Sequence, residues 1–267
     1  MGFVDSHCHA SLHWYEPIET LLYEMDRNEV DQAVLIQIMG QYDNTYQQEC
    51  VQRYPDRLAS VVLVDPLQPD APATLERLAE AGASGVRLPA RTRSPGEDPL
   101  AIWRTAARLG LPVSCGGSSA ELAADGFAEL LAALPNLPVV IEHLASVSQP
   151  DRDDAQRAQR TQVFDLARFP NAFIKVPGLG ELAKRALPVP TSTFPFEQPI
   201  PDYLEQVMNR FGPSRMMWGS DFPPVAAREG YRGALRLCID QLADTSDAAR
   251  AAIFGDTARA VFFGARP

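Results

Sequence analysis

Short apolar runs alternate with longer stretches of helical period along the whole chain. The first run is Gly2–His7 (GFVDSH), followed by a helical stretch over Ile18–Asn28. Gln32–Ile38 (QAVLIQI) precedes a helix around Thr45–Arg53, Ala59–Val64 (ASVVLV) one over Ala71–Ala81, and Gly85–Leu88 (GVRL) one over Leu100–Leu109. Pro112–Cys115 leads to a helix near Ala120–Leu134, and Pro138–His143 (PVVIEH) to a helical Ala155–Arg168. Ala172–Val176 (AFIKV) is the seventh run, with a long loop before a helix over Ile200–Phe211. The eighth is Arg215–Ser220 (RMMWGS), and helices around Tyr231–Leu242 and Ala248–Phe263 close the chain.

Runs this short and this rich in Val, Ile and Leu suit strands buried on both faces. Strict alternation with helices makes parallel βαβ units, whose crossovers cover the sheet. Eight such units closing on themselves predict a single-domain α/β fold, a (β/α)₈ TIM barrel. The 267 residues match the roughly 250 typical of that fold. A doubly wound open sheet is the structural alternative. Against it, no glycine-rich phosphate loop follows an early strand.

Composition narrows the partners. Hydrophobic residues make up 46% of the chain, enough for a large core, and the formal net charge is −10. Such a surface repels nucleic acid and anionic lipid, so neither is an expected partner. The four cysteines, Cys8, Cys50, Cys115 and Cys238, form no CxxC pair and read as free thiols. The start MGFVDSHCHA lacks the basic and apolar segments of a signal peptide, and no run approaches the ~20 apolar residues of a membrane span. The expectation is a cytoplasmic enzyme with a small-molecule substrate. A homo-oligomer is compatible with the pattern, because the outer helix faces of a barrel read alike against water or a partner.

Chemistry gathers at the ends of runs one, six and eight. His7 and His9 stand two apart, so on a strand both point the same way, into the barrel mouth, while Cys8 points into the helix layer. His143 ends the sixth run and Asp221 follows the eighth. Closing the barrel brings run eight beside run one, so the four groups meet at one mouth. Three imidazoles and a carboxylate there suit a divalent metal or a water-activating site. Alone, the His7–His9 pair also reads as polar core held by carbonyls. His13 reads as a surface or lid residue, and Glu142, by alternation with His143, as facing the helices.

Several motifs resemble a known family. Asp5-Ser6-His7-Cys8-His9 resembles the D-x-H-x-H opening of the amidohydrolase superfamily. Val140-Ile141-Glu142-His143-Leu144, the GSDFP of Gly219–Pro223, and Ile253–Arg259 resemble segments of its amidohydrolase-related branch, which holds 2-pyrone-4,6-dicarboxylate and sugar-acid lactonases; Thr257 stands where Asn is usual. The resemblance spans the chain. It implies that Asp221 is a general base, with His7, His9 and His143 binding a metal together with Asp221 or polarising the carbonyl. Binuclear members use a carboxylated lysine on the fourth strand and histidines on the fifth and sixth. Here Arg87 is on the fourth, Ser114 and Cys115 are on the fifth, and Lys175 is on the seventh. The cofactor expected is therefore one divalent metal, zinc or manganese, or none.

Arg87, Arg91 and Arg93 cluster after the fourth run. At the mouth they would pair a carboxylate-bearing substrate; otherwise they form a solvated loop. Lys175 could likewise bind an anion or pair with its neighbours. Trp14 and Tyr15, just past His9, could wall the site or pack the loop, and Gly178–Pro199 is a candidate substrate loop or a plain surface one. The expected activity is hydrolysis of a lactone or related cyclic ester. The alternatives are a metal-dependent decarboxylase of an aromatic or muconate-type acid, and a catalytically idle ligand-binding barrel.

Overall fold

The apolar runs form eight strands in a computed structural model that describes residues 2–148, 154–188, 190 and 194–264. They are β1 (Phe3–Cys8), β2 (Val30–Ile36), β3 (Leu58–Val62), β4 (Gly85–Arg87), β5 (Val113–Cys115), β6 (Val139–Ile141), β7 (Ala172–Val176) and β8 (Met216–Trp218). Each pairs in parallel with the next, in the order β1 to β8. Between them lie α1 (Ile18–Asn28), α2 (Thr45–Arg53), α3 (Ala71–Glu80), α4 (Ala101–Arg108), α5 (Ser119–Leu122), α6 (Asp125–Ala133), α7 (Asp154–Thr161) and α8 (Tyr203–Phe211), with α9 (Gly230–Gln241), α10 (Asp247–Ala251) and α11 (Thr257–Phe262) after β8. This is a (β/α)₈ barrel.

Its two ends meet just past β8. Asp221 N–H donates to the His7 carbonyl and His9 N–H to the Phe222 carbonyl, both at 2.8 Å. Beside them Cys8 bridges Phe222 in parallel.

Two apolar layers follow from strand alternation. Inside the barrel, Val4, Val34, Ile36, Ala59, Val61, Val140 and Met217 pack together, with Ala258 and Phe262 of α11. The outer faces, including Val86, Val113, Ile141, Ile174 and Trp218, pack against the helices. Trp218 is fully buried, and its indole N–H reaches the Ala234 carbonyl at 3.0 Å, so its apolar burial leaves no polar group unpaired. Cys8 belongs to this outer layer, as its alternation with the histidines requires.

Three expected helices divide, Ala155–Arg168 among them, which is α7 followed by a 3₁₀ segment over Gln162–Arg168. Ala120–Leu134 is α5 and α6, because Ala124 is extended (ψ 144°) before Asp125 starts a new helix. Ala248–Phe263 is α10 and α11 around a π-turn at Ala252–Asp256.

Candidate active site

Each strand end delivers its side chain by a different local device. In β1 the register shifts between Asp5 and Cys8. Val4 and His7 can therefore both face inward although they are three apart, while Asp5 turns to the seam and accepts from Ser220. His7 and His9 then alternate inward past Cys8, their rings edge-on with centroids 5.0 Å apart. His143 does not sit on β6. It begins a left-handed run, with φ values of 49° at His143, 46° at Leu144, 58° at Ala145 and 55° at Ser146. That run swings its ring to 4.5 Å from the ring of His7. Asp221 lies beyond β8, also left-handed at φ 58°, a conformation Asp tolerates better than most residues.

The break at His143 corrects one expectation. Because His143 leaves the strand, alternation on β6 continues Val140, Glu142 inward. Glu142 is 3% exposed and lies inside the barrel instead of facing the helices. It receives a fork from Arg87, Nε to Oε1 at 3.1 Å and Nη2 to Oε2 at 2.7 Å, and the Ser114 hydroxyl donates to Oε1 at 2.7 Å. Lys175 Nζ in turn donates to Ser114 Oγ at 2.8 Å and meets His7 Nδ1 at 3.1 Å. Burial opposes the Glu142 charge, but Arg87 and Lys175 override it and hold the carboxyl well below its ordinary range. Burial pulls Lys175 down to about 8.

These contacts set the tautomers. Burial, followed by the Lys175 charge, holds His7 well below its usual pKa, so the ring is neutral. While the Lys175 ammonium donates to Nδ1, the proton of His7 is on Nε2. That Nε2 is buried without a hydrogen-bond partner among the described residues. His9 Nδ1 lies 2.7 Å from the Ile36 carbonyl, which can only accept, so this nitrogen carries a proton. Its Nε2 faces Asp221 Oδ1 at 3.5 Å. Burial would raise the Asp221 carboxyl, but the His9 contact and the His143 and Arg228 charges hold it below its usual value, so it is ionised at neutral pH. Burial would likewise depress His143, yet Glu181 and Asp221 reverse the shift and raise it.

His7, His143 and Asp221 each offer one ligand atom, all within 4.8 Å of one another. Two imidazoles and a carboxylate, the His7 ring among them with its Nε2 buried and unpaired among the described residues, fit one divalent ion. As a ligand, His7 Nε2 would need its proton moved to Nδ1, with a neutral Lys175 amine accepting there. As it stands, the same nitrogen is a donor aimed into the site. His9 lies beside this set with its Nδ1 on Ile36. Arg87 on β4 and Ser114 on β5 are already engaged in the barrel network, and no second group of metal-ligating side chains occurs among the described residues.

The other expected contacts divide. Arg87, 11% exposed at its side chain, has its fork on Glu142 and its remaining Nη1 on the Gln37 carbonyl at 2.9 Å. Arg91 turns outward, 80% exposed, towards Glu121, and Arg93 donates to the carbonyls of Ala90 and Thr92. Trp14 is 74% exposed; Tyr15 is the aromatic that stacks on His9, at 5.4 Å between centroids. His13 is exposed. Two residues of the site were not anticipated. Glu181 contacts His143 Nδ1 at 3.1 Å, and Arg228 joins Glu181 to Asp221 at 3.1 and 3.3 Å.

The amidohydrolase family model matches residues 4–264 of this chain. The chain belongs to the amidohydrolase family. Among curated relatives, this amidohydrolase is 31% identical over 128 residues to an L-fucono-1,5-lactonase of Burkholderia ambifaria, a match over 46% of the chain and 41% of the relative. Among solved structures it resembles a probable 2-pyrone-4,6-dicarboxylic acid hydrolase of Acinetobacter baumannii with citric acid bound (TM-score 0.75, 19% identity, 98% of this chain and 100% of that one). It also resembles an amidohydrolase of Burkholderia multivorans with bound zinc (TM-score 0.76, 19% identity, 98% and 99%). At these identities the two structures bear on the fold.

Proposed function

We propose that this amidohydrolase opens a lactone or a related cyclic ester. The observation that carries the reading is the convergence of His7, His143 and an ionised Asp221 at one mouth. A carbonyl there would meet donors on one side and a water held by Asp221 on the other. The water oxygen bonds to the carbonyl carbon as Asp221 takes the water proton. The developing oxyanion faces His7 Nε2–H, with His143 beside it as a donor in its imidazolium form, which Glu181 and Asp221 favour. When the intermediate collapses, the ring C–O bond breaks and Asp221 returns the proton to the leaving oxygen, giving a hydroxy acid. A divalent ion held by His7, His143 and Asp221 would take the place of the imidazole donors and supply Lewis-acid polarisation of the carbonyl.

The lactonase relative supports this reading, as does the absence of a spare histidine, since His13 is exposed. The reading includes a cytoplasmic enzyme with a small-molecule substrate, and the net charge of −10 weighs against nucleic-acid binding.

The test is a panel of aldonolactones, 2-pyrone-4,6-dicarboxylate and aromatic carboxylic acids, assayed with metal-stripped protein and with added zinc or manganese. Proton release from at least one lactone, without carbon dioxide release from the acids, is expected. Carbon dioxide release from an aromatic acid with every lactone untouched would overturn the reading in favour of decarboxylation.

A further inference from the structure

Each histidine of the site has one nitrogen on a partner outside the His7, His143 and Asp221 group, and each of those partners is different. For His7 it is Lys175 Nζ, for His9 the Ile36 carbonyl, and for His143 the Glu181 carboxylate. Both carboxylate oxygens of Glu181 lie close to His143 Nδ1, at 3.2 and 3.1 Å. Glu181 is 14% exposed at its side chain, so this is not a fully solvated surface pair.

We propose that Glu181 is a positioning residue of the active site: it fixes the orientation and the Nδ1–H tautomer of His143, and through Arg228 it ties that ring to Asp221. The inference rests on the proposed function only in taking His143 and Asp221 as reacting groups.

Three observations support it. The first is backbone freedom. His143 stands at φ 49°, outside the β6 ladder, so no strand register aims its ring, and an external partner is needed. The second is chemistry. A carboxylate oxygen accepts, so the proton it meets belongs to Nδ1, and Nε2 of the neutral ring is left with its lone pair. The third is continuity. Glu181 Oε1 also accepts from Arg228 Nη2 at 3.1 Å, and the Arg228 guanidinium reaches Asp221 Oδ2 at 3.3 and 3.4 Å. One carboxylate thus connects groups from the ends of β6 and β8.

The segment that carries Glu181 is itself held. Glu181 ends a 3₁₀ turn, Leu179–Glu181, just after β7. Beneath it the Glu229 carboxylate, whose side chain is fully buried, accepts from the Gly180 N–H at 3.0 Å. A Cβ on Gly180 would collide with that carboxylate. The start of the Gly178–Pro199 segment is therefore fastened to the catalytic groups.

The experiment compares Glu181→Ala and Glu181→Gln with the wild-type protein. One readout is the split of kcat against KM on the best lactone. The other is the ¹⁵N NMR signature of the imidazoles at a pH where His143 is neutral. The protein has four histidines, so a His143 variant assigns its ring. Losing such an orienting partner typically costs 10–100-fold, so Glu181→Ala should lower kcat by about that factor with KM within about threefold. Glu181→Gln should recover most of the loss, because its amide oxygen still accepts from Nδ1–H. Neutral His143 should be the Nδ1–H form in wild type and Gln, and a tautomer mixture in Ala. An unchanged tautomer in Ala, or a wild-type kcat, would overturn the proposal. So would equal losses in Ala and Gln that track a fall in melting temperature. Should the protein open no lactone, the proposed function fails, while the tautomer readout still decides the role of Glu181.

Discussion

Asp5 grips Ser220 across the barrel seam with two hydrogen bonds, one from the Ser220 amide to Oδ1 at 2.9 Å and one from its hydroxyl to Oδ2 at 2.6 Å. The backbone that carries Asp221 is therefore anchored through its neighbour and through its own amide on His7, and not through the Asp221 carboxylate.

That separation makes Asp221 testable. Asn also tolerates the left-handed backbone at this position, so Asp221→Asn should keep the seam and lose the proton acceptor. Turnover on the best lactone is expected to fall by about 10²–10⁴, with a melting temperature close to wild type. Near-equal turnover would remove Asp221 from the mechanism.

Glu142 governs stability in acid. Its carboxyl titrates below its unfolded value of 4.5, so its contribution is complete above that pH and is lost as the pH falls towards the folded value. Glu142→Gln leaves Arg87 and Lys175 facing each other in the barrel without their anion. Breaking a buried pair of this kind costs about 3–5 kcal/mol at neutral pH. The gap between wild type and variant in denaturant midpoint should narrow between pH 4.5 and 3. A gap that stays constant with pH would refute this account.

Gly219 sets the approach of β8 to β1. A Cβ there would stand 2.7 Å from His7 Cβ and 3.0 Å from His7 N, neither of which is the end of a flexible side chain. Gly219→Ala should cost about 1–3 kcal/mol by overpacking and displace His7, so turnover should drop as well. Thermal melts and steady-state kinetics check both; a variant indistinguishable from wild type in each would contradict the close contact.

Metal content follows from the donors. With His7, His143 and Asp221 forming the single candidate group among the described residues, purification with zinc or manganese should load at most about one ion per chain. Elemental analysis giving two tightly held ions would count against this.

The barrel was legible because strands covered on both faces must be largely apolar, and runs such as ASVVLV and AFIKV are, with Ser60 and Lys175 the single polar residue in each. His7 and His9 were legible because two-residue spacing survives whatever the register of β1. Glu142 was not, since alternation was counted from His143, and nothing in VVIEH marks the residue where the chain turns left-handed. Arg228 lies in the loop after β8, and its aim depends on the path of that loop in space. Glu181 gave a fainter cue: it is an acidic residue five positions past the seventh strand, on the face where barrel enzymes place their chemistry. Trp14 and Tyr15 could not be ranked from sequence, because which of two adjacent loop aromatics turns inward is decided by packing.

The seam has a temporal consequence. Asp5 and Ser220 are 215 residues apart, and the groups beside them, His7 and Asp221, are separated by nearly as much. A chain emerging from the ribosome carries His7 and His9 long before Asp221, and they have no carboxylate partner until the eighth strand has emerged and closed against the first. Contacts this distant in sequence form slowly. Catalytic competence should therefore appear late and all at once, with the seven-stranded precursor inert.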